Sequence, residues 1–441
     1  MSVSDIPQPD NGFYVLVTGA NSGLGLGIGT RLIDEFLQTR PQDESLVLII
    51  TTRDQRKGDA TVKKLEQHVQ KVCRQAEKKV PGIAMVLQRR VHLRQERLDL
   101  LSLISTQKLA KRLRDTIPKV DVVICNAGIG GWTGLNWPQA VWEVLTDLSN
   151  ATVWPKYKIA GVGRVTRPQL PSAQDGKEVE EPPLGEVFCA NFFGHYMLGH
   201  YLAPLLARHA QSEQTRGRLI WTSSVDAYNH SFDINDMQGI TATEPYESSK
   251  RLADLMGIAS RWPITAPLVS KYLEHDAKAT EKTSQPRIYL AHPGIVATSI
   301  VPLPLLLEYC MMMIFFIGRS IGQQWHCIYP HTAAVSMVWL ALAKQSMIDG
   351  IEEKDGVAKW GSASDVWGNE RVERTEVPGW GWGGKLGETK RKGRSPYATD
   401  LTEDDQKEFL ALGEKCWEKI EELRGEWEER LEEAGVAVPM D

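Results

Sequence analysis

The chain has 441 residues, with 51 lysines and arginines against 56 aspartates and glutamates and a formal net charge of -5. That length holds one large α/β domain plus additions, since single α/β domains reach roughly 250 residues. The charge balance excludes a general attraction to nucleic acid or to anionic lipid. The six cysteines (Cys73, Cys125, Cys189, Cys310, Cys327, Cys416) are scattered without a CxxC pair, which predicts buried thiols and neither a disulfide nor a zinc site.

The arm 1–11 is polar and lacks an apolar h-region, which predicts no cleaved signal peptide and a catalytic body facing the cytosol. Phe13 to Val17 reads as a strand that ends in a glycine turn, and Leu32, Ile33, Phe36 and Leu37 mark a helix behind it. Leu46 to Thr51 is a second strand after the Pro41 loop, and a charged helix from about Lys57 to Lys79 leads toward Leu98. The series continues with Val122 to Cys125, Leu219 to Thr222 and Ile288 to Ala291, separated by helix-length segments. Continuous apolar strands of this kind are buried on both faces, which predicts a doubly wound (Rossmann) parallel sheet over residues 12–372.

Three segments depart from that alternation. Residues 133–183 carry Trp142, Trp154, several prolines and the run KEVEEPP, and read as an insertion on one rim that shapes a pocket mouth or contacts a partner. Residues 300–317, IVPLPLLLEYCMMMIFFI, hold one charge, Glu308, and are too short and broken for a membrane span. They read either as a buried helix pair or as a segment dipping into a bilayer surface. The extension 373–441 ends in a charged helix whose stripe of Phe409, Leu412, Cys416, Ile420, Leu423, Trp427 and Leu431 docks on the body or on a partner helix.

Directly after the first strand stands Thr18-Gly19-Ala20-Asn21-Ser22-Gly23-Leu24-Gly25, opening into a helix. Gly19 permits the tight turn, Gly23 lets backbone approach a pyrophosphate, Gly25 allows close packing, and the helix start offers free N–H groups to phosphates. Asn21, Ser22 and Leu24 lie along the same turn. The second strand ends in Thr51-Thr52-Arg53-Asp54, with Arg53 where an NAD-selective site often places a carboxylate. One charge-assisted bond from Arg53 to a 2′-phosphate, about 1.5 to 3 kcal/mol, favours NADPH over NADH by roughly one to two orders of magnitude. Asp54 either caps the next helix or competes for the ribose; Asp99 either binds the adenine amino group or caps its own helix. Asn126-Ala127-Gly128 ends the fourth strand at the topological switch point, where small residues let a cofactor pass.

The catalytic candidates follow Trp221-Thr222-Ser223-Ser224 in Tyr246-Glu247-Ser248-Ser249-Lys250. Four residues apart on a helix, Tyr246 and Lys250 share a face, so the ammonium is expected to lower the phenol pKa. Tyr246 then donates a proton to a ketone oxygen that Ser224 holds, with Ser223 as the alternative serine. Lys250 also binds the nicotinamide ribose.

In this order, TGANSGLG, CNAG, WTSS, YESSK and HPGIVAT resemble the short-chain dehydrogenases/reductases over about Gly12 to Val372. The resemblance implies a tetrad completed by Asn191, which helps hold a proton-relay water, and a closing segment with Pro293, Gly294, Val296 and Thr298 over the nicotinamide. The separation of Ser224 and Tyr246 is longer than in many members, through an extra loop from Asn229 to Thr243. That extension is similar to one in reductases of retinoids and sterols. WTSS, EPYESSK, the insertion and KWGSAS resemble, more narrowly, the fungal branch that reduces 3-keto sterols to 3β-alcohols during C-4 demethylation in ergosterol synthesis. This implies a lipophilic substrate and peripheral association with the cytosolic face of the endoplasmic reticulum membrane and with lipid droplets. It also implies partnership with the C-4 demethylation proteins and oxidosqualene cyclase. The competing expectations are a retinoid or fatty-acyl carbonyl reductase with the same tetrad, and a noncatalytic NADP-binding scaffold.

Overall fold

Alternate residues of the first strand, β1 (Gly12–Val17), feed two different cores: Tyr14 and Leu16 one, Val15 and Val17 the other. This division fixes a sheet covered on both faces. The computed structural model describes residues 9–170, 181–207, 216–273, 285–298, 303–389, 391–396 and 398–440. The other strands of the main sheet are β2 (Ser45–Thr52), β3 (Val91–Arg97) and β4 (Val122–Cys125), followed after an interruption by more. The interruption holds a separate antiparallel pair, β5 (Trp132–Leu135) and β6 (Lys158–Ala160). Then come β7 (Arg218–Thr222) and β8 (Arg287–His292). The short parallel pair β9 (Ile295–Val296) and β10 (His326–Ile328) precedes β11 (Lys359–Ser364) and β12 (Glu370–Thr375).

The eight-stranded sheet has the order β12-β11-β8-β7-β4-β1-β2-β3. Every neighbouring pair is parallel except β11 with β12. From β1 the chain grows outward through β2 and β3, then returns to place β4 on the other side of β1. The crevice beyond the carboxyl ends of β1 and β4 is therefore the switch point where such sheets bind ligands. Helices Leu103–Thr116, Gly194–Ala207 and Pro245–Ala259 cover one face, and Gly23–Thr39, Gln55–Glu77 and Val335–Leu342 the other. In the first of these second-face helices Ile28, Leu32, Ile33 and Phe36 are fully buried, the single stripe that its apolar spacing predicts.

Three strands of the main sheet escape the apolar-run signal, the interior KWGSAS of β11 and both edges. VHLRQER in β3 and ERVERT in β12 are charged because they are the edges of the sheet, where charge also discourages pairing with another chain. In β3, Arg94 and Glu96 are buried as an ion pair at 2.6 Å. The body boundary expected after residue 372 falls inside β12, so the sheet runs on to Thr375.

The C-terminal helix Glu403–Glu433 begins with a Thr402–Asp405 capping box and docks on the body. Phe409, Cys416, Ile420, Trp427 and Leu431 are buried, with Leu412 and Leu423 partly so. Trp417, outside the predicted stripe, is buried as well and donates from Nε1 to the Met256 carbonyl at 3.0 Å. The partner-helix alternative gives way because the apolar stripe is already covered by the chain's own core. In the insertion, helices Trp137–Thr146 and Leu148–Val153 lie between β5 and β6; residues 171–180 of the expected 133–183 lie outside the described ones. Of 300–317, residues 300–302 lie outside the described ones, and the remainder forms the helix Leu305–Ser320. Its only fully buried residue is Gly318, so it is not the buried helix pair. No helix among the described residues is long and apolar enough to cross a membrane.

Candidate active site

The glycine turn is held by its neighbours before any ligand is considered. Gly19 has φ +66, and a Cβ there would lie 2.8 Å from that of Ala127; a Cβ on Gly25 would lie 2.3 Å from the Gly19 carbonyl oxygen. Glycine is therefore required at both positions. Thr18 Oγ1 accepts from the Asn126 and Ala127 amides at 2.9 and 3.0 Å, and Asn126 Nδ2 returns a bond to the Thr18 carbonyl at 2.8 Å. The turn after β1 and the turn after β4 are thus one unit, and Thr18 is the fastener that sequence reasoning passed over.

A cavity of about 460 Å³ opens above this unit. Gly19, Asn21, Ser22, Gly23, Leu24 and Gly25 form one wall, Thr52, Arg53 and Asp99 a second, and Asn126, Ala127 and Gly128 the floor. Pro293, Gly294, Val296 and Thr298 close it from the β8–β9 side. Thr298 reaches across to the glycine turn, where a Cβ on Gly23 would sit 3.3 Å from its methyl. Ser22 makes no side-chain cap and the first helical turn holds no acidic residue, so its N–H groups face the cavity with the positive end of the helix. Asp54 is spent as a helix cap, accepting from the Lys57 amide at 2.9 Å, and does not compete at the ribose end. Asp99 is not the N-cap either: Ser102 caps that helix, while Asp99 accepts from the Leu101 amide at 3.2 Å and lines the cavity.

Ser224, Tyr246 and Lys250 line the other end of the same cavity. Lys250 donates to the Thr222 carbonyl at 2.7 Å and stands 5.5 Å from the Tyr246 ring centre. Its burial, opposed by Asp254, lowers it to about 8. Tyr246 departs from expectation. Burial first and the Asp226 carboxylate second push its phenol up to about 12, against Lys158 and a hydrogen bond with Ser224. An ionised phenol there loses more hydration than Lys158 and Ser224 return, which favours the protonated form at neutral pH. That is the state a proton donor needs.

The choice between the two serines is made by distant elements. Ser223 is buried and donates to Asp254 Oδ1 at 2.6 Å, so its hydroxyl is committed to the core. Lys359, from β11, donates to Asp254 at 2.5 Å and to the Ser224 carbonyl at 2.9 Å. This buried pair pins the end of β7, where Ser224 Oγ accepts from the Asp226 amide at 3.1 Å and lines the cavity with Tyr246. Asn191 lies on a π turn, Cys189–Phe193, of the type that often marks functional positions. Its amide accepts from the Ile129 N–H at 2.8 Å and donates to the Ile129 carbonyl at 3.0 Å and Ser249 Oγ at 3.1 Å. Asn191 therefore braces the floor turn against the Tyr246 helix. Behind it His195, lowered to about 3 by burial and so neutral, meets Thr18 Oγ1 at 2.9 Å.

A switch-point glycine turn facing a Ser, Tyr and Lys cluster resembles the arrangement of the short-chain dehydrogenases/reductases. The chain is 43% identical over 438 residues to the 3-keto-steroid reductase of Aspergillus fumigatus, covering 96% of this chain and 95% of that one. The 3-keto-steroid reductase of Gibberella zeae is 38% identical over 461 residues, covering 95% and 94%. That of Schizosaccharomyces pombe is 31% identical over 368 residues, covering 82% and 90%. The chain belongs to the family of fungal 3-keto-steroid reductases. No family model matches the sequence. Among solved structures, a metagenomic short-chain oxidoreductase in complex with NADP is similar at a TM-score of 0.38 and 16% identity, covering 76% of this chain and 92% of that one.

Proposed function

We propose that this chain reduces the 3-keto group of a lipophilic sterol to the 3β-alcohol with NADPH, as a step of C-4 demethylation in ergosterol synthesis. The observation that carries the reading is Tyr246, with Ser224 lining the same wall and Lys250 5.5 Å from its ring centre, at the end of a cavity whose other end is a glycine turn. The cavity fits a dinucleotide phosphate: Gly19 and Gly25 leave no room for side chains, the helix start is uncapped, and Arg53 stands exposed at the ribose end. When bound, NADPH supplies the hydride. Ser224 holds the ketone oxygen by a hydrogen bond, and Tyr246 gives its hydroxyl proton to that oxygen as negative charge develops. Lys250 offsets the charge left on the phenol. Asn191 keeps the floor turn and the Tyr246 helix in register.

The exposed surface supports the substrate and location that the resemblance implies. On helix Leu305–Ser320, Leu305, Leu306, Tyr309, Met313 and Ile317 are exposed, and so are Trp137, Val141, Trp142 and Leu145 of the insertion. The insertion helix Leu148–Val153 packs against both helix Leu305–Ser320 and helix Trp137–Thr146. Such a surface supports peripheral attachment at the endoplasmic reticulum membrane and lipid droplets, where sterols dissolve. The test is NADPH oxidation by detergent-solubilised protein given a 3-keto sterol, with retinal as control and Tyr246→Phe beside the parent. Sterol turnover that falls by roughly two to four orders of magnitude in Tyr246→Phe supports the reading. Turnover of retinal alone overturns the substrate, and full activity of Tyr246→Phe overturns the chemistry. Liposome flotation that persists in Leu305→Glu/Leu306→Glu overturns the membrane surface.

A further inference from the structure

The catalytic tyrosine has a second cation beside it that belongs to the insertion. Through the β5–β6 hairpin the insertion lays Trp132 against the Tyr246 ring, with centres 5.1 Å apart and planes tilted by 55°. Lys158, on β6, places its ammonium 4.9 Å from the Trp132 ring centre and 5.7 Å from that of Tyr246. The same ammonium donates to Asp226 at 2.8 Å and to Glu247 at 2.5 Å. Asp226 also accepts from the Tyr228 hydroxyl at 2.9 Å. Lys158, Asp226 and Glu247 are all largely shielded from water, with side-chain exposures of 10%, 10% and 4%.

Buried ion clusters add little to stability once desolvation is counted, so this one invites a reason other than holding the fold. Among the described residues, the charged groups facing Tyr246 are Lys158 from β6, Asp226 from the loop after β7, and Glu247 and Lys250 from its own helix. Glu247 directly follows Tyr246 in the chain. Without Lys158, two carboxylates would stand against a phenol that must take negative charge as its proton leaves. We propose that Lys158 is a positioning residue for the reduction: with Trp132 it fixes the Tyr246 ring, and it offsets Asp226 and Glu247 as charge develops there. This rests on Tyr246 being the proton donor of the proposed reaction. At the observed separation and an effective dielectric of about 20, losing the cation slows proton donation by roughly tenfold to a hundredfold.

The experiment measures steady-state kinetics of the full chain in detergent, with NADPH and a 3-keto sterol, for Lys158→Met and Lys158→Arg. It includes Lys158→Met/Glu247→Gln, which deletes the cation but keeps the net charge of the cluster, so that a folding failure of the single variant is bypassed. The expected result is a kcat lowered roughly tenfold to a hundredfold, with KM and the NADPH Kd within about twofold of the parent. Lys158→Arg recovers most of the loss. In a Tyr246→Phe background, Lys158→Met adds no further loss, because its effect runs through the phenol. Unchanged kcat in both cation-deleting variants overturns the inference, as does an equal loss in the Tyr246→Phe background. Full sterol turnover by Tyr246→Phe instead overturns the proposed function itself, a separate outcome from any behaviour of Lys158.

Discussion

Replacing Asp254 by alanine removes one carboxylate and disturbs two systems. The residue is fully buried, accepts from Ser223, and pairs with Lys359, whose side chain is 1% exposed. Its loss leaves an ammonium in the core without its counter-charge, which costs about 3 to 5 kcal/mol. For a chain of this length the unfolding entropy is so large that this appears as a Tm lower by only roughly 3 to 5 °C. The second effect concerns Lys250, one helical turn away, which burial lowers to about 8 while Asp254 raises it. In the proposed mechanism the Lys250 ammonium is the active form, so kcat/KM in the parent is expected to be full below that value and to fall as pH rises through it. Without Asp254 the fall moves to lower pH. Thermal melting together with kcat/KM profiles across neutral and alkaline pH reads both effects. Asp254→Leu/Lys359→Met, which deletes the pair together, should recover much of the stability. An Asp254→Ala protein that melts with the parent and keeps its alkaline limit would refute both the buried pair and its link to Lys250.

Two further outcomes follow from the same geometry. Arg53→Ala should reduce the preference for NADPH over NADH in kcat/KM by roughly one to two orders of magnitude while leaving NADH turnover nearly unchanged, as judged by kinetics with each cofactor. Trp417→Ala should cost about 3 to 5 kcal/mol in denaturant unfolding, because it empties a site between Trp221, Tyr196 and Tyr272. A change of under about 1 kcal/mol would mean that the C-terminal helix does not stabilise the body.

The inner strands other than β11, the glycine turn and the Tyr246–Lys250 spacing could be read directly from the chain because each is a local pattern. An apolar run buried on both faces, a turn in which a Cβ has no room, and a four-residue helical step depend on near neighbours alone. The edge strands β3 and β12 could not be read that way, since charge on an edge strand resembles charge in a loop until its partner is known. The same holds for Trp417, which lies off the stripe yet is buried because Gly413 lets two helices close up, a Cβ there falling 2.6 Å from that of Ala259. The commitment of the Ser223 hydroxyl to Asp254, the high phenol pKa of Tyr246 and the presence of Lys158 at its side were decided only by the tertiary structure. Each depends on burial and charge supplied from far along the chain: Lys359 from β11, Asp226 from the loop after β7, and Lys158 from the insertion. Desolvation and Coulomb forces act through space, and sequence separation carries no record of the distances that set them.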